Sequence, residues 1–425
     1  MPAADAGRPR GTIAMIASVY PLTSETFVYR QVHALRRRGW VVHTVSLRPS
    51  TSPPSRITGV EEPEPIIIYG PRILATLTDA VMECLQHPVR SIATFAQAVA
   101  DALVPGEPAS AATRLKLPWQ AVSAIGLAHR LRRLKVEAIH CHFAHAPTTL
   151  GMYAARQLGV PFSFTGHAND LFQRRALLKR KLARAAFVGC ISLWHRQLYQ
   201  AIHPRDEAAY PLIRCGVEVE SWQPVQRPDA TADKPLRVLT VGRLVEKKGI
   251  DTLIMAIGSL HRGQQGRWRL IIAGDGPQRS SLEQLARQAG CDEMIRWEGQ
   301  VDAARVRELM MHEADIFALP CRPDRHGDRD GIPVVLMEAM ACGLPVIAGD
   351  LEAIRELVVH ERTGLLVDAA TPQPLIEALA QLRESPQERQ HLGQAARQWV
   401  VQEFSLDDHA ARLEEALTTA RAKAS

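Results

Sequence analysis

LRVLTVGRLVEKKGIDTLIMAIGSLHRG, residues 236–263, is the stretch whose reading decides the architecture. An apolar run of strand length meets a turn containing Gly242 and Gly249, and a helical pattern follows from about residue 248. The same grammar repeats downstream in WRLIIAG (268–274), MIRWEG (294–299), ADIFALP (314–320) and LPVIAG (344–349), with helical segments between them. The first half uses it too, in TIAMIAS (12–18), VVHTVSL (41–47), EAIHCHF (137–143), PFSFT (161–165) and AFVGCIS (186–192). ETFVYRQVHALRRRGW (25–40) puts Phe27, Val28, Val32 and Leu35 on one stripe and Arg30, Arg37 and Arg38 away from it, which is amphipathic helix spacing. Strand then helix, repeated, specifies an α/β fold with a parallel, doubly wound sheet, here built twice.

Between the halves lies EVESWQPVQRPDATADKP (218–235), polar and proline-bearing, which reads as the linker. The expected organisation is a first domain over 1–217, the linker, a second domain over 236–400 and a C-terminal helix over 401–425. Residues 71–134 interrupt the alternation as a helical insertion with no strands. Two readings stand for it: a helical face that docks on a membrane or an acceptor, or helices packed on the sheet. No solenoid repeat or low-complexity tract is visible.

At 425 residues, 46% hydrophobic and 23% charged, the composition is that of a globular protein and excludes disordered, collagen-like and coiled-coil classes. Seven cysteines, with no C-x-x-C pair, argue against a disulfide framework and fit a reducing cytosol. The N-terminus lacks a signal-peptide apolar region, and no stretch reaches the roughly 20 apolar residues of a spanning helix. Residues 1–217 hold 26 Lys+Arg against 13 Asp+Glu, while the remainder holds 25 against 32. The basic half suits an anionic partner, and charge alone does not choose among phospholipid, lipid-linked phosphate, nucleic acid or plain solvation. A basic run after residue 170 (Arg174, Arg175, Lys179, Arg180, Lys181, Arg184) reads as a contact for anionic lipid or as a solvated helix face.

In open parallel sheets ligands bind beyond the carboxyl ends of the strands. The segments that follow the strands here are Arg243 to Gly249, Gly274-Asp275-Gly276, Glu298-Gly299, and Pro320 to Asp330-Gly331-Ile332-Pro333. In the first half they are Ser18 to Glu25 and Gly166 to Asp170. Glycines, cations and carboxylates collected at one sheet edge suit a phosphorylated, hydroxyl-rich ligand. Pro333 suits a first helical turn, so a helix is expected directly after Gly331, with Glu338 inside it.

VGRLVEKKG, IIAGDGP and DGIPVVLMEAMACGLPVIA together resemble the donor domain of retaining glycosyltransferases of family 4. SVYPLTSETFVYRQVHALRRRGW, IHCHFA and FTGHAND are similar to the acceptor domain of its colanic-acid-type, exopolysaccharide branch. The resemblance implies the GT-B architecture, two Rossmann-like domains facing across a cleft that holds a nucleotide-sugar donor. It implies transfer with retention, no cofactor and no metal. Carried onto this chain, Arg243 and Lys248 match the diphosphate-binding cations, His167 the histidine near the reacting carbon, and Asp330 the first carboxylate of a paired-glutamate motif. Glu338 matches the second carboxylate, which holds the ribose. Gly242, Gly274, Asp275, Gly276, Glu298, Gly331, Ile332 and Pro333 match donor contacts; Thr23, Ser24, Glu25, Asn169 and Asp170 match acceptor-side loops, although Ser24 or Glu25 also suits a helix cap. The sequence departs from the family at Asp330, one methylene shorter than Glu, and at Asp350 to Glu356, where the family often has a glycine pair.

His140 and His142 share one face of a strand and Cys141 takes the other, which does not favour a metal site. Asp328-Arg329-Asp330 spells D-x-D, but it overlaps the stronger glycine–proline motif. Neither G-x-G-x-x-G after a first strand nor a P-loop occurs, and no aromatic–basic platform supports nucleic-acid binding. The expectation is a cytoplasmic transferase, peripheral at the inner membrane face, acting on a glycan or lipid-linked glycan acceptor in cell-surface polysaccharide synthesis. A non-catalytic sugar-nucleotide or polysaccharide binder and a sugar-nucleotide epimerase are the alternatives.

Overall fold

The structure, a computed structural model, describes residues 9–22, 25–51, 61–104, 110–167, 176–224, 234–263 and 267–424. The chain divides into two compact units, residues 1–214 with 407–425, and residues 215–406.

The first unit runs β1 (Gly11–Val19), α1 (Thr26–Arg37), β2 (Trp40–Arg48), β3 (Ile66–Ile67), α2 (Ile73–Gln86), α3 (Pro88–Ala102), α4 (Ala111–Arg133), β4 (Ala138–His142), α5 (Ala146–Leu158), β5 (Phe162–Thr165), α6 (Leu178–Arg184), β6 (Val188–Gly189) and α7 (Leu193–Ile202). Its sheet is parallel with order β3-β2-β1-β4-β5-β6. The alternation of β1 fills two cores: Ile13, Met15 and Ala17 face one layer, Ala14 and Ile16 the other. Strand β3, two residues long, carries no sequence signal of its own.

The second unit contains β7 (Leu236–Val241), α8 (Ile250–Arg262), β8 (Trp268–Ala273), α9 (Arg279–Gln288), β9 (Ile295–Gly299), α10 (Ala303–Glu308), β10 (Ile316–Leu319), α11 (Val334–Ala341), β11 (Val346–Gly349), β12 (Leu365–Val367), α12 (Gln373–Glu384) and α13 (Pro386–Glu403). Its parallel order is β12-β11-β10-β7-β8-β9. Counted from its own first strand this is again 3-2-1-4-5-6, the Rossmann order, so each sheet reverses direction beside its first strand. Ligand sites belong where that reversal leaves a crevice, at the loops after β1 and β4 and after β7 and β10.

The stretch expected as linker is not free chain where it is described. Trp222 is buried in the second unit's core, and residues 225–233 lie outside the described residues. The helix expected from residue 401 starts later, as α14 (Leu406–Ala422), and from Asp407 onward it packs with the first unit. Leu413 and Leu417 bury against Ile13, Met15, Val32 and Leu35, while Glu414 pairs with Arg10 and Arg38 and Arg421 with Glu137. Leu417→Ala is expected to destabilise the first unit by about 2–5 kcal/mol, as fully buried Leu→Ala changes do, read from the urea midpoint.

Candidate functional site

In the second unit the loop after β7 begins at Gly242, whose N–H donates to Ala273 O at 3.0 Å, while Gly274 N–H donates to Gly299 O at 2.7 Å. These bonds lace the ends of β7, β8 and β9. Gly274 holds φ +138°, and a Cβ there would stand 1.9 Å from Gly242 O. Gly249 holds φ +65°, and its Cβ would stand 2.0 Å from Pro320 O. Both positions require glycine because loops of this unit touch backbone to backbone.

That contact brings the loops after β7 and β10 together. Lys248 Nζ lies 2.6 Å from Asp330 Oδ2, and Lys247 Nζ lies 3.0 Å from Asp328 Oδ2 and 3.3 Å from Asp330 Oδ1. The Cys321 thiol donates to Asp330 Oδ2 at 3.2 Å. Burial works to raise the Asp330 carboxyl, but Lys248 and then Lys247 outweigh it and hold the group at about 2. Burial likewise works against the Lys248 ammonium, and Asp330 overcomes it, so its pKa rises. Burial and the neighbouring Asp330 charge push the Cys321 thiol well up, which keeps it a donor. The D-x-D spelling is thereby explained as two carboxylates gripping one lysine. Arg243 is exposed and has no side-chain partner among the described residues.

Helix α11 starts at Val334 with Pro333 as its N-cap residue, two positions later than expected, and buries Glu338 along with Leu336, Met337 and Met340. Ile332 is buried beside it. Gly276 N–H is held by Asp275 Oδ1 at 2.7 Å. The Glu298 side chain pairs with Arg296 at 2.8 Å and Arg305 at 3.0 Å, so any donor contact there falls to the backbone of Glu298 and Gly299.

In the first unit His167 sits just beyond β5, preceded by Gly166, where a Cβ would come within 2.3 Å of the Tyr199 hydroxyl. Its Nε2 is 3.3 Å from His142 Nδ1, and its ring centroid lies 4.4 Å from that of Phe27 and 4.9 Å from that of Phe143. His140 hydrogen-bonds Ser163 at 2.9 Å and Thr165 at 3.2 Å, and His195 bonds Ser192 at 2.7 Å. Burial holds all four rings neutral: His142 and His195 fall to about 3, and His140 and His167 fall well below the ordinary value. Glu25 is the N-cap residue of α1 and makes no side-chain cap bond. Thr23, Ser24, Asn169 and Asp170 lie outside the described residues.

The basic run requires a correction. Lys181 is fully buried and donates to Ala144 O at 2.7 Å, Ala176 O at 2.9 Å and His145 O at 3.2 Å, fixing the loop after β4. Arg180 and Arg184 pair with Asp101 at 2.5 and 2.7 Å. Lys179 is exposed and Arg180 and Arg184 are half-buried, so Lys181, Arg180 and Arg184 serve as an internal brace, which the solvated-face reading did not foresee; Arg174 and Arg175 lie outside the described residues.

Two family models match: Glycosyltransferase Family 4 over residues 24–221 and Glycosyl transferases group 1 over residues 223–399. A GDP-mannose-dependent alpha-(1-6)-phosphatidylinositol monomannoside mannosyltransferase of Mycolicibacterium smegmatis is 34% identical over 65% of this chain and 75% of its own length. The chain belongs to glycosyltransferase family 4. The homologous enzyme of Mycobacterium tuberculosis is 36% identical over 44% of this family-4 chain, which spans about half (51%) of that relative's length. A putative colanic acid biosynthesis glycosyltransferase of Escherichia coli K12 is 28% identical over 85% of this chain and 88% of its own. Among solved structures, Anabaena HepE in complex with UDP and glucose superposes at TM-score 0.67 with 15% identity, over 96% of this chain and 99% of that one. The fold is therefore GT-B, with two Rossmann-like units.

Sequence reasoning about this family-4 chain gave no role to Lys247 or Cys321 and set Asp328 aside with the D-x-D spelling, although all three complete the Asp330 cluster, and it set His142 aside although it touches His167. The repeated Lys-Lys and D-x-D spacings were the available signal. The depressed histidines set a pH dependence. Their protons bind only on unfolding, so stability present above about pH 6.5 is lost as pH falls toward 3. The urea midpoint of the first unit is expected to fall across that window, and His142→Gln to make the decline shallower.

Proposed function

We propose that the protein is a retaining, metal-independent glycosyltransferase that moves a sugar from a nucleotide-sugar donor to a glycan, lipid-linked acceptor during exopolysaccharide or other cell-surface polysaccharide synthesis. It works in the cytoplasm, peripheral at the inner membrane face. The observation that carries this reading is the loop pair at the strand reversal of the second unit, where Lys247, Lys248, Asp328 and Asp330 interlock beside exposed Arg243. Such an edge suits a diphosphate, because ammonium groups held in place before the reaction, with an exposed guanidinium beside them, stabilise charge as it develops on the leaving group.

In this reading Arg243 and Lys248 take the diphosphate. Asp330 keeps Lys248 charged and in place, Glu338 holds the ribose hydroxyls, and the neutral His167 offers a hydrogen bond to the transferred sugar. The acceptor hydroxyl attacks the anomeric carbon from the face the nucleoside diphosphate leaves, and no side chain becomes covalently attached. The relatives support the class and differ in detail: GDP-mannose is the donor named for the mycobacterial proteins, and UDP is bound in the Anabaena structure. The basic composition of residues 1–217 supports the membrane-peripheral part.

The decisive measurement is thermal stabilisation by UDP-, GDP- and ADP-sugars with chelator present, since a ligand at 100 times its dissociation constant adds about 2.7 kcal/mol. A shift with one nucleotide class is expected, and no shift from any of them in folded protein overturns the reading. Arg243→Ala and Lys248→Ala are expected to lower nucleoside diphosphate release by at least about a hundredfold; near-normal release by either removes that residue from the proposed site.

A further inference from the structure

Helices α2 and α3 are built inside out. Both pack on α4, yet the residues they bury are Thr76, Ala80 and Glu83 from α2 and Ser91, Thr94, Ala98 and Asp101 from α3. Their large apolar side chains face outward. Leu74, Leu85, Val89, Ile92, Leu103 and, at the start of α4, Leu115 are each 70–80% exposed. Val81, Met82, Phe95 and Trp119 are exposed among them. Single exposed apolar residues are ordinary, but a stripe of this length on neighbouring helices marks a surface made to leave water.

The buried side explains how the arrangement holds together. Gln157 of α5 donates to Glu83 Oε1 at 3.1 Å and Ser91 Oγ at 3.1 Å and accepts from Thr94 at 3.0 Å. Thr76 donates to Ile68 O at 3.1 Å, and Tyr153 donates to Asp101 at 3.1 Å. The carboxylates of the two helices, Asp79, Glu83 and Asp101, all turn inward and are matched by Arg130, Arg132, Arg180 and Arg184. The outer stripe of α2 and α3 therefore presents no carboxylate, while exposed Lys116 adjoins it in sequence, as does Arg72, which meets Glu64 only at 4.0 Å; Arg90 within α3 is exposed in part and donates to Leu158 O at 2.9 Å.

We propose that the outer face of α2 and α3, with the first turns of α4, is the membrane-docking surface, lying in the headgroup region of an anionic bilayer. This rests on the membrane-peripheral part of the reading above and is separate from donor binding. A protein partner or second copy would meet side-chain donors and acceptors across about every 100–200 Å² of interface. Acyl chains demand none, and this stripe supplies almost none. Exposed Arg72 and Lys116 at the flanks, and the absence of outward carboxylates on α2 and α3 themselves, match anionic headgroups. Helices of 14 and 15 residues are too short to span a bilayer, and no helix of the described residues is long and apolar enough to do so, so the pair lies in the surface.

The test is flotation of the full-length protein with vesicles of equal parts phosphatidylglycerol and phosphatidylcholine, against phosphatidylcholine alone. The wild-type protein is expected to float with the anionic vesicles. Leu85→Asp/Val89→Asp/Ile92→Asp should lower the bound fraction about tenfold, and Leu115→Ser, an independent change on α4, should lower it too. Both variants should keep the wild-type Tm and any donor-induced shift, because the altered side chains touch solvent. Equal flotation of the folded triple variant overturns the location while leaving the membrane-peripheral reading standing. Failure of the wild-type protein to float overturns both. A lipid-free dimer that the triple variant dissolves assigns the face to a second copy and overturns the proposal.

Discussion

One ionic clamp organises the ligand edge of the second unit. Lys247 and Lys248, at the end of the loop after β7, grip Asp328 and Asp330, in the loop after β10, across the point where the strand order reverses. Each partner is mostly shielded from water, and removing one leaves an uncompensated charge that costs about 3–5 kcal/mol. The clamp also dictates the glycines. Loops drawn this close leave no room for a Cβ at Gly249 against Pro320 O, and the adjoining turn leaves none at Gly274 against Gly242 O. The clamp sets these charges in place without a ligand, as the proposed charge stabilisation requires.

Among the described residues the first unit relies more on hydrogen bonds, although Glu62, which pairs with Arg36, also accepts from Tyr20 just after β1. Its loops at the strand ends are set by Lys181 donating hydrogen bonds to three backbone carbonyls and by Thr148 donating to Phe143 O at 2.7 Å. Above them the histidines and Phe27, Phe143 and Phe187 form a layer kept uncharged by burial. The two units thus offer contrasting chemistry on one topology, fixed charge in the second and neutral, polarisable rings in the first.

Much of this was readable beforehand, for physical reasons that differ by element. Strands such as β1 and β8 are buried on both faces, and an unbroken apolar run between a helix and a glycine turn has few other meanings. Strands β3 and β12, two and three residues long, hold their place through pairing with β2 and β11, which no local pattern reveals. The helices of the insertion were legible as helices, but not which side they bury, because periodicity reports a stripe and not its direction. The fate of Lys181 was illegible for a similar reason. A lysine in a basic run looks solvated until tertiary contacts supply carbonyls for its ammonium. At the candidate site the sequence pointed to Lys248 and Asp330 singly, and the pairing that joins them with Lys247 and Asp328 exists only in three dimensions.

The return of α14 to the first unit gives the chain an order of assembly. Residues 215–406 form a complete unit interposed between two parts of another, since the layer containing Ile13, Met15 and Val32 is covered by Leu413 and Leu417. During synthesis the second unit has its whole sequence outside the ribosome before the first does, although the first began earlier. Until α14 emerges, one apolar layer of the first unit stays uncovered while some two hundred further residues are made. Helix α14 is in this sense the closing step of the first unit's folding, supplied only after the whole second unit has been made.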